Sequence, residues 1–225
     1  MHILRTGLLL ISVAAFAQES ESAKRLNNAA TVFDEIMGIS DKSIPQKILD
    51  KSHCAVIVPG LKKGAFIIGA KYGRGFVTCR NKSGAGWSAP GAVRVEGGSV
   101  GFQIGGSETD VVMLVMNEKG ADRLLSNKFT IGADASAAAG PVGRTAQADT
   151  DATLRAEILT WSRARGAFAG VSLQGATLRQ DGDSLTEMYG SGVDNKTVVN
   201  GGKPAPATAK RLLDLLNKYS SRKTS

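Results

Sequence analysis

Cysteine, histidine and aromatic residues are the scarce ingredients of this chain. Its 225 residues include two cysteines, Cys54 and Cys79, two histidines, and only 5% Phe, Trp and Tyr. So few cysteines exclude a disulfide-dense scaffold. Both stand in apolar runs that read as strands: they form a bridge if those strands are neighbours and remain two buried thiols if they are not. His53 is the one histidine besides His2, and with two isolated cysteines it leaves too few ligands for a histidine-rich zinc or iron centre. The expected metal and cofactor content is therefore none. Long apolar runs are missing as well. The run from Gly7 to Ala17 is far shorter than the ~20 residues that span a bilayer. With Arg5 before it and Ala15-Phe16-Ala17 at its end, it reads as a cleaved signal peptide over residues 1–17, with a mature chain from Gln18. The expected location is periplasmic or secreted, and no cysteine follows the run to carry an acyl anchor.

Glycine, by contrast, is abundant: 27 residues, about 12% against a usual ~7%. Such a share points to tight turns and close backbone approach. No linker divides residues 18–225, which read as a single domain. Leu26, Ala29, Ala30, Phe33, Ile36 and Met37 recur at helical spacing and predict a helix over 20–38 ended by Gly38. Its polar residues include Glu21, Asp34 and Glu35, so it suits packing on a sheet better than lying on a membrane. A short helix from Pro45 to Lys51, capped by Ser43, is expected next.

Strands follow. Ala55 to Val58 ends at Pro59, Lys62 and Lys63 lie in a turn, and Ala65 to Lys71 joins Phe76 to Arg80 through a hairpin turn at Tyr72-Gly73-Arg74-Gly75. Val100, Phe102 and Ile104 alternate with Ser99, Gly101 and Gln103. Val111 to Met116 is apolar throughout, as in a strand buried on both faces, and Asn117 caps a helix running to Leu125. Further strands are expected at 157–163, 167–173 and 176–179, and a C-terminal helix over 207–220. The fold class is α+β: a curved antiparallel sheet or barrel-like core, residues 44–190, with a helix at each end.

Five blocks make the chain familiar. They are Ile44 to Leu49 with Ala55 to Pro59, Lys62 to Arg80, Gly86 to Gly105, Gly132 to Arg144, and Trp161 to Gly175. In this order they resemble the SYLF domain, a module of exported bacterial proteins and of actin-associated proteins in yeast and animals. Two departures are mild: the family more often has an aliphatic residue or glycine at 53 and 54, and Tyr where Trp161 stands. The resemblance implies binding of acidic phospholipids and no enzymatic activity. Actin, bound by some fungal members, does not suit an exported protein.

Charge distribution agrees with a surface-binding role. Between Lys42 and Lys82 there are nine cations and one acid, and from Lys196 onward seven cations face only Asp214. The remaining mature residues are net acidic, so the charge is segregated. Each basic residue beside an anionic lipid surface contributes on the order of 1 kcal/mol, and Lys62, Lys63, Lys71 and Arg74 with the interfacial Tyr72 are the candidate lipid contacts. An acidic envelope protein or polysaccharide is the alternative partner. Nucleic acid is not expected, because no motif for it is present. Gly97-Gly98-Ser99-Val100-Gly101 matches the G-x-S-x-G elbow, but a strand rather than a helix follows, and His53 precedes Ser99, so no hydrolase triad assembles. Asp149 with Asp151, and Asp181 with Asp183, lie in no recognisable calcium loop.

Overall fold

The computed structural model describes residues 19–39, 43–65, 68–81, 86–100, 105–126, 128–142, 156–164, 167–168 and 173–220. The expected signal peptide, residues 101–104 of the alternating segment and residues 169–172 lie outside them. Helix α1, Glu21–Gly38, starts where the Ser20 hydroxyl accepts from the Ala23 N–H, and Glu21 sits at its positive end. Helix α2 is Gln46–Lys51 and starts at Pro45 without a side-chain cap, so Ser43 does not play the capping role expected of it. Strands β1, Cys54–Ala65, and β2, Ile68–Cys79, follow, then β3, Gly91–Val100, and β4, Gly105–Val115. Asn117 caps helix α3, Glu118–Leu124. The rest comprises short β5, Lys128–Thr130, and β6, Ala137–Ala139, then β7, Ile158–Ala164, β8, Ala167–Phe168, and β9, Thr177–Gln180. Helices α4, Gly182–Tyr189, α5, Asn195–Thr197, and α6, Lys210–Tyr219, follow.

The strands form one sheet in the order β5-β9-β3-β2-β1-β4-β7-β6, with β8 on β7. All pairs are antiparallel except β6 with β7. This sheet must curl. Its two ends, β5 and β6, are joined by the short stretch between Thr130 and Ala137, which reaches at most roughly 25 Å when extended. Eight flat strands would set those ends ~34 Å apart. The linker is also folded back on itself, with the Asp134 N–H on the Thr130 carbonyl at 2.8 Å. The result is a half-barrel, as the sequence pattern suggested.

Curling gives the sheet two apolar faces. Val56, Val58, Val77, Val93, Val95, Val111, Met113 and Phe129 fill the inside. On the outside, Ala55, Ile57, Phe76, Val112, Leu114 and Trp161 pack against α1, α2, α4 and α6. The apolar run Val111 to Val115 is thereby buried on both faces. Cys54 stands directly opposite Cys79 on the inner side, with Cα atoms 3.9 Å apart, and the two form a disulfide. Arg80 closes one end by donating to the carbonyls of Leu49 at 3.0 Å and Ser220 at 2.7 Å while stacking on Trp87. It thus joins α2 to the end of α6.

The expected hairpin is corrected in one respect. Instead of three strands broken at Pro59 and at Tyr72 to Gly75, there are two strands of 12 residues, and both segments lie within them. Proline is tolerated inside β1 because a bulge sits there: one extra β1 residue lies between Val58 and Leu61 in the register with β4. Gly60 takes φ +60° and gives its N–H to the Asp110 side-chain carboxylate on β4 at 3.0 Å rather than to a backbone carbonyl of the ladder. Gly73 and Gly75 are spacers for that bend rather than turn residues. A Cβ on Gly75 would fall 2.2 Å from the Ile57 carbonyl oxygen, and one on Gly73 would fall 2.8 Å from the Val58 and Leu61 side chains.

Gly75→Ala therefore should destabilise the fold by about 3 kcal/mol or more, because backbone must shift to admit it. Gly98→Ala, whose Cβ would meet nothing nearer than 4.0 Å, should stay within about 1 kcal/mol of wild type. Urea unfolding of both variants checks this, and equal stabilities would contradict the bend.

Candidate functional site

The bulge decides which side each candidate residue takes. Beyond it, Lys62 is opposite Tyr72, and Lys63 is opposite Lys71. Leu61 belongs to the inner core, so strand alternation sends Lys63 and Lys71 to the inner side and Lys62, Tyr72 and Arg74 to the outer side. The five residues expected to act together are divided between two faces of one ribbon. None of them lies in a turn.

On the outer face Tyr72 is 46% exposed, and its hydroxyl accepts from Arg74 Nε at 2.8 Å. The Arg74 guanidinium also meets Asp183 at 3.2 Å and the buried Asp181 at 3.5 Å. Its pKa is raised, first by the Tyr72 hydrogen bond and then by the Asp181 and Asp183 carboxylates. Asp181 caps α4: it accepts from the Ser184 hydroxyl at 2.8 Å, and Arg25 of α1 reaches the same hydroxyl at 3.2 Å. Arg74 is thus a clamp between β2 and α4 as well as a surface cation. Asp181 and Asp183 belong to that clamp rather than to a calcium loop.

On the inner face Lys71 is buried beside Lys63. Burial lowers its pKa, and the Lys63 charge lowers it further. Lys62 and Lys63 also border a cleft of about 970 Å³ with Glu108, Asp110 and Arg163. Arg163 bridges that end by pairing with Asp110 at 3.1 Å and with Glu35 of α1, and those two carboxylates hold its pKa up against its burial. Basic and acidic groups therefore alternate around the cleft.

Sequence reasoning stopped at Arg74 and missed its outward neighbour Arg94, although Val93 and Val95 on either side signal an outward residue between two inward ones. It also missed Asn195, whose buried side chain exchanges hydrogen bonds of 2.8 and 2.9 Å with the Ala92 backbone, as a neighbouring strand would. No pattern marks such a residue.

Ser99 lies within β3 opposite Gly69, whereas His53 leads into β1 beside Arg80. Gly69 and Arg80 are eleven positions apart along the strand, roughly 35 Å, so Ser99 and His53 cannot form a dyad. Among the described residues no three His, Cys, Asp or Glu side chains gather in a metal-binding group. Nor is any described helix long and apolar enough to cross a membrane.

Comparison with known proteins places this arrangement. Residues 96–219 match the family model described as "Ysc84: Las17-binding protein actin regulator". An SH3 domain-containing protein of Schizosaccharomyces pombe is 36% identical over 178 residues, 77% of this chain and 41% of the relative. Protein YSC84 of Saccharomyces cerevisiae is 30% identical over 202 residues, 88% of this chain and 42% of its own length. The human SH3 domain-containing YSC84-like protein 1 is 29% identical over 203 residues, 89% of this chain and 59% of its own. The chain thus spans roughly half the length of these relatives. The family's description pulls against setting actin aside as a partner.

Lys71 gives the site a pH signature. A lysine whose folded pKa lies below its unfolded value binds fewer protons when folded, so stability rises with pH between the two values. Lys71→Met removes that dependence. The variant should be more stable than wild type at pH 7, with the gap closing as pH approaches 10 in thermal melts. A gap that is constant with pH would contradict the buried, charge-opposed environment.

Proposed function

The chain belongs to the Ysc84 family, and from that premise we propose that it is a non-catalytic binding module whose basic outer sheet face docks on acidic phospholipid surfaces of the cell envelope. The observation that carries this reading is the segregated charge: nine cations and one acid between Lys42 and Lys82, with Lys62 exposed opposite the exposed Tyr72 and Arg74 beside them. An aromatic flanked by cations suits the boundary between headgroups and water. The Cys54–Cys79 disulfide is consistent with an oxidising compartment, which supports export to the periplasm or the medium. Contact with the membrane is peripheral and reversible on this reading.

A protein partner is the second reading. It is favoured by the family's description as Las17-binding actin regulators, and the same basic face would then meet an acidic protein, or an acidic polysaccharide of the envelope.

Sedimentation with vesicles tests the first reading. Wild type should bind phosphatidylcholine vesicles containing phosphatidylglycerol and not those without it, and binding should weaken as salt rises, because exposed charges are screened beyond ~8 Å at physiological ionic strength. Changing Lys62 to Gln should cost about 1 kcal/mol, or fivefold. The Lys63→Gln, Lys71→Gln pair, on the inner face, should cost much less. Equal binding to neutral and anionic vesicles would overturn the lipid reading and bring the protein partner forward.

A further inference from the structure

The face that carries Tyr72 and Arg74 does not end at β2. Strand pairing sets Arg74 opposite Arg94, Arg94 opposite Arg179, and Arg179 opposite Lys128. Four cations therefore stand in one row across β2, β3, β9 and β5, and at ~4.8 Å per strand the row is roughly 15 Å long. Their neighbours Val93, Val95, Leu178 and Phe129 fill the inner core, so alternation turns all four outward. The row reaches water in part: the Arg94 and Arg179 side chains are 36% and 42% exposed with their Nε atoms buried, and Lys128 is exposed.

Like charges directly opposite one another on neighbouring strands destabilise a sheet. Internal pairing offsets this only in part. Asp181 and Asp183 neutralise Arg74, but the single carboxylate of Glu96 serves both Arg94, at 2.9 Å, and Arg179, at 3.4 Å. Lys128 has no ion pair among the described residues. The surplus charge is thus concentrated at Arg94, Arg179 and Lys128. One step along the strands, Tyr72, Thr177 and Thr130 are in register with Glu96 and its neighbours, and they border the row with hydroxyl groups. Guanidinium forks beside hydroxyl donors suit phosphate oxygens.

We propose that the Arg94, Arg179 and Lys128 row, continuing from Arg74, is the surface that receives the phosphates of anionic lipid headgroups; this rests on the lipid reading above and assigns its docking face. A row of cations on one outer sheet face meets charges presented side by side at a surface, and the exposed Tyr72 at its edge is placed to enter the interface.

The test compares wild type, the triple variant Arg94→Gln, Arg179→Gln, Lys128→Gln, and the single variants Lys128→Glu and Glu96→Gln, with circular dichroism to establish folding. The ligands are phosphatidylglycerol vesicles and, separately, soluble polyglutamate. At about a factor of five per basic residue, the triple variant should lose on the order of a hundredfold in vesicle affinity. Lys128→Glu, at an exposed position, should weaken binding even if the triple variant does not fold, and Glu96→Gln should strengthen it by removing the competing carboxylate. If wild type prefers anionic vesicles but folded triple and Lys128→Glu variants bind undiminished, the row is not the docking face while the lipid reading stands. If wild type shows no preference for anionic vesicles, both fall together. Polyglutamate binding that depends on the row, without vesicle binding, would assign it to an acidic protein and overturn the membrane assignment.

Discussion

The bend of β1 at Pro59 and Gly60 is the constraint on which the rest of the structure depends. Proline cannot give an N–H to either neighbour, and Gly60 takes a left-handed backbone and donates to Asp110 instead. The extra residue shifts the register with both β2 and β4. Before the bend, even-numbered β1 residues point inward, as Val56 and Val58 do; after it, odd-numbered ones do, beginning with Leu61. A central strand is thereby divided into an apolar half that holds two cores together and a cationic half that reaches the surface. Gly73 and Gly75 make the division possible by letting β2 run close behind the bend.

The consequence for function is a two-sided sheet with unequal coverings. Helices shield the outer face over Ile57, Phe76, Val112 and Trp161, and α1 is fixed there at both ends. Near its start the Ser22 hydroxyl donates to Glu187 at 2.8 Å, and near its finish Glu35 pairs with Arg163. Beyond the Arg74 clamp with Asp181 and Asp183 the helices stop, and the remaining outer face presents charge rather than apolar groups. An uncovered sheet face has to be polar, but it need not be basic. The row of cations on it is the feature on which the proposed anionic partner rests.

Much of the architecture was legible in the sequence. The 3.6-residue spacing from Leu26 to Met37, the apolar run at Val111 and the cap at Asn117 each correspond to an element with few competing readings, and each is found. The hairpin was misplaced for a physical reason. Gly73 and Gly75 look the same whether they turn a chain or make room for one, and only the bulge on the facing strand distinguishes the two. Strands of three residues, β5 and β6, are too short to show a period. The candidate site was legible only by half. Local charge density found Lys62, Tyr72 and Arg74, which are close in sequence, but it also gathered Lys63 and Lys71, which alternation and the bulge send to the other side. Arg94, Lys128 and Arg179 lie in segments with no basic excess, and they meet Arg74 only through strand register, which a single sequence does not reveal.

The proposed docking requires the uncovered outer face, and not the opposite end of the half-barrel, to meet the partner surface. An environment-sensitive fluorophore attached in turn at Tyr72→Cys and Thr177→Cys on that face, and at Asp122→Cys on the exposed side of α3, measures this directly when phosphatidylglycerol vesicles are added. A blue-shifted, more intense emission is expected at positions 72 and 177 and none at 122. A shift at 122 with none at the other two would contradict it.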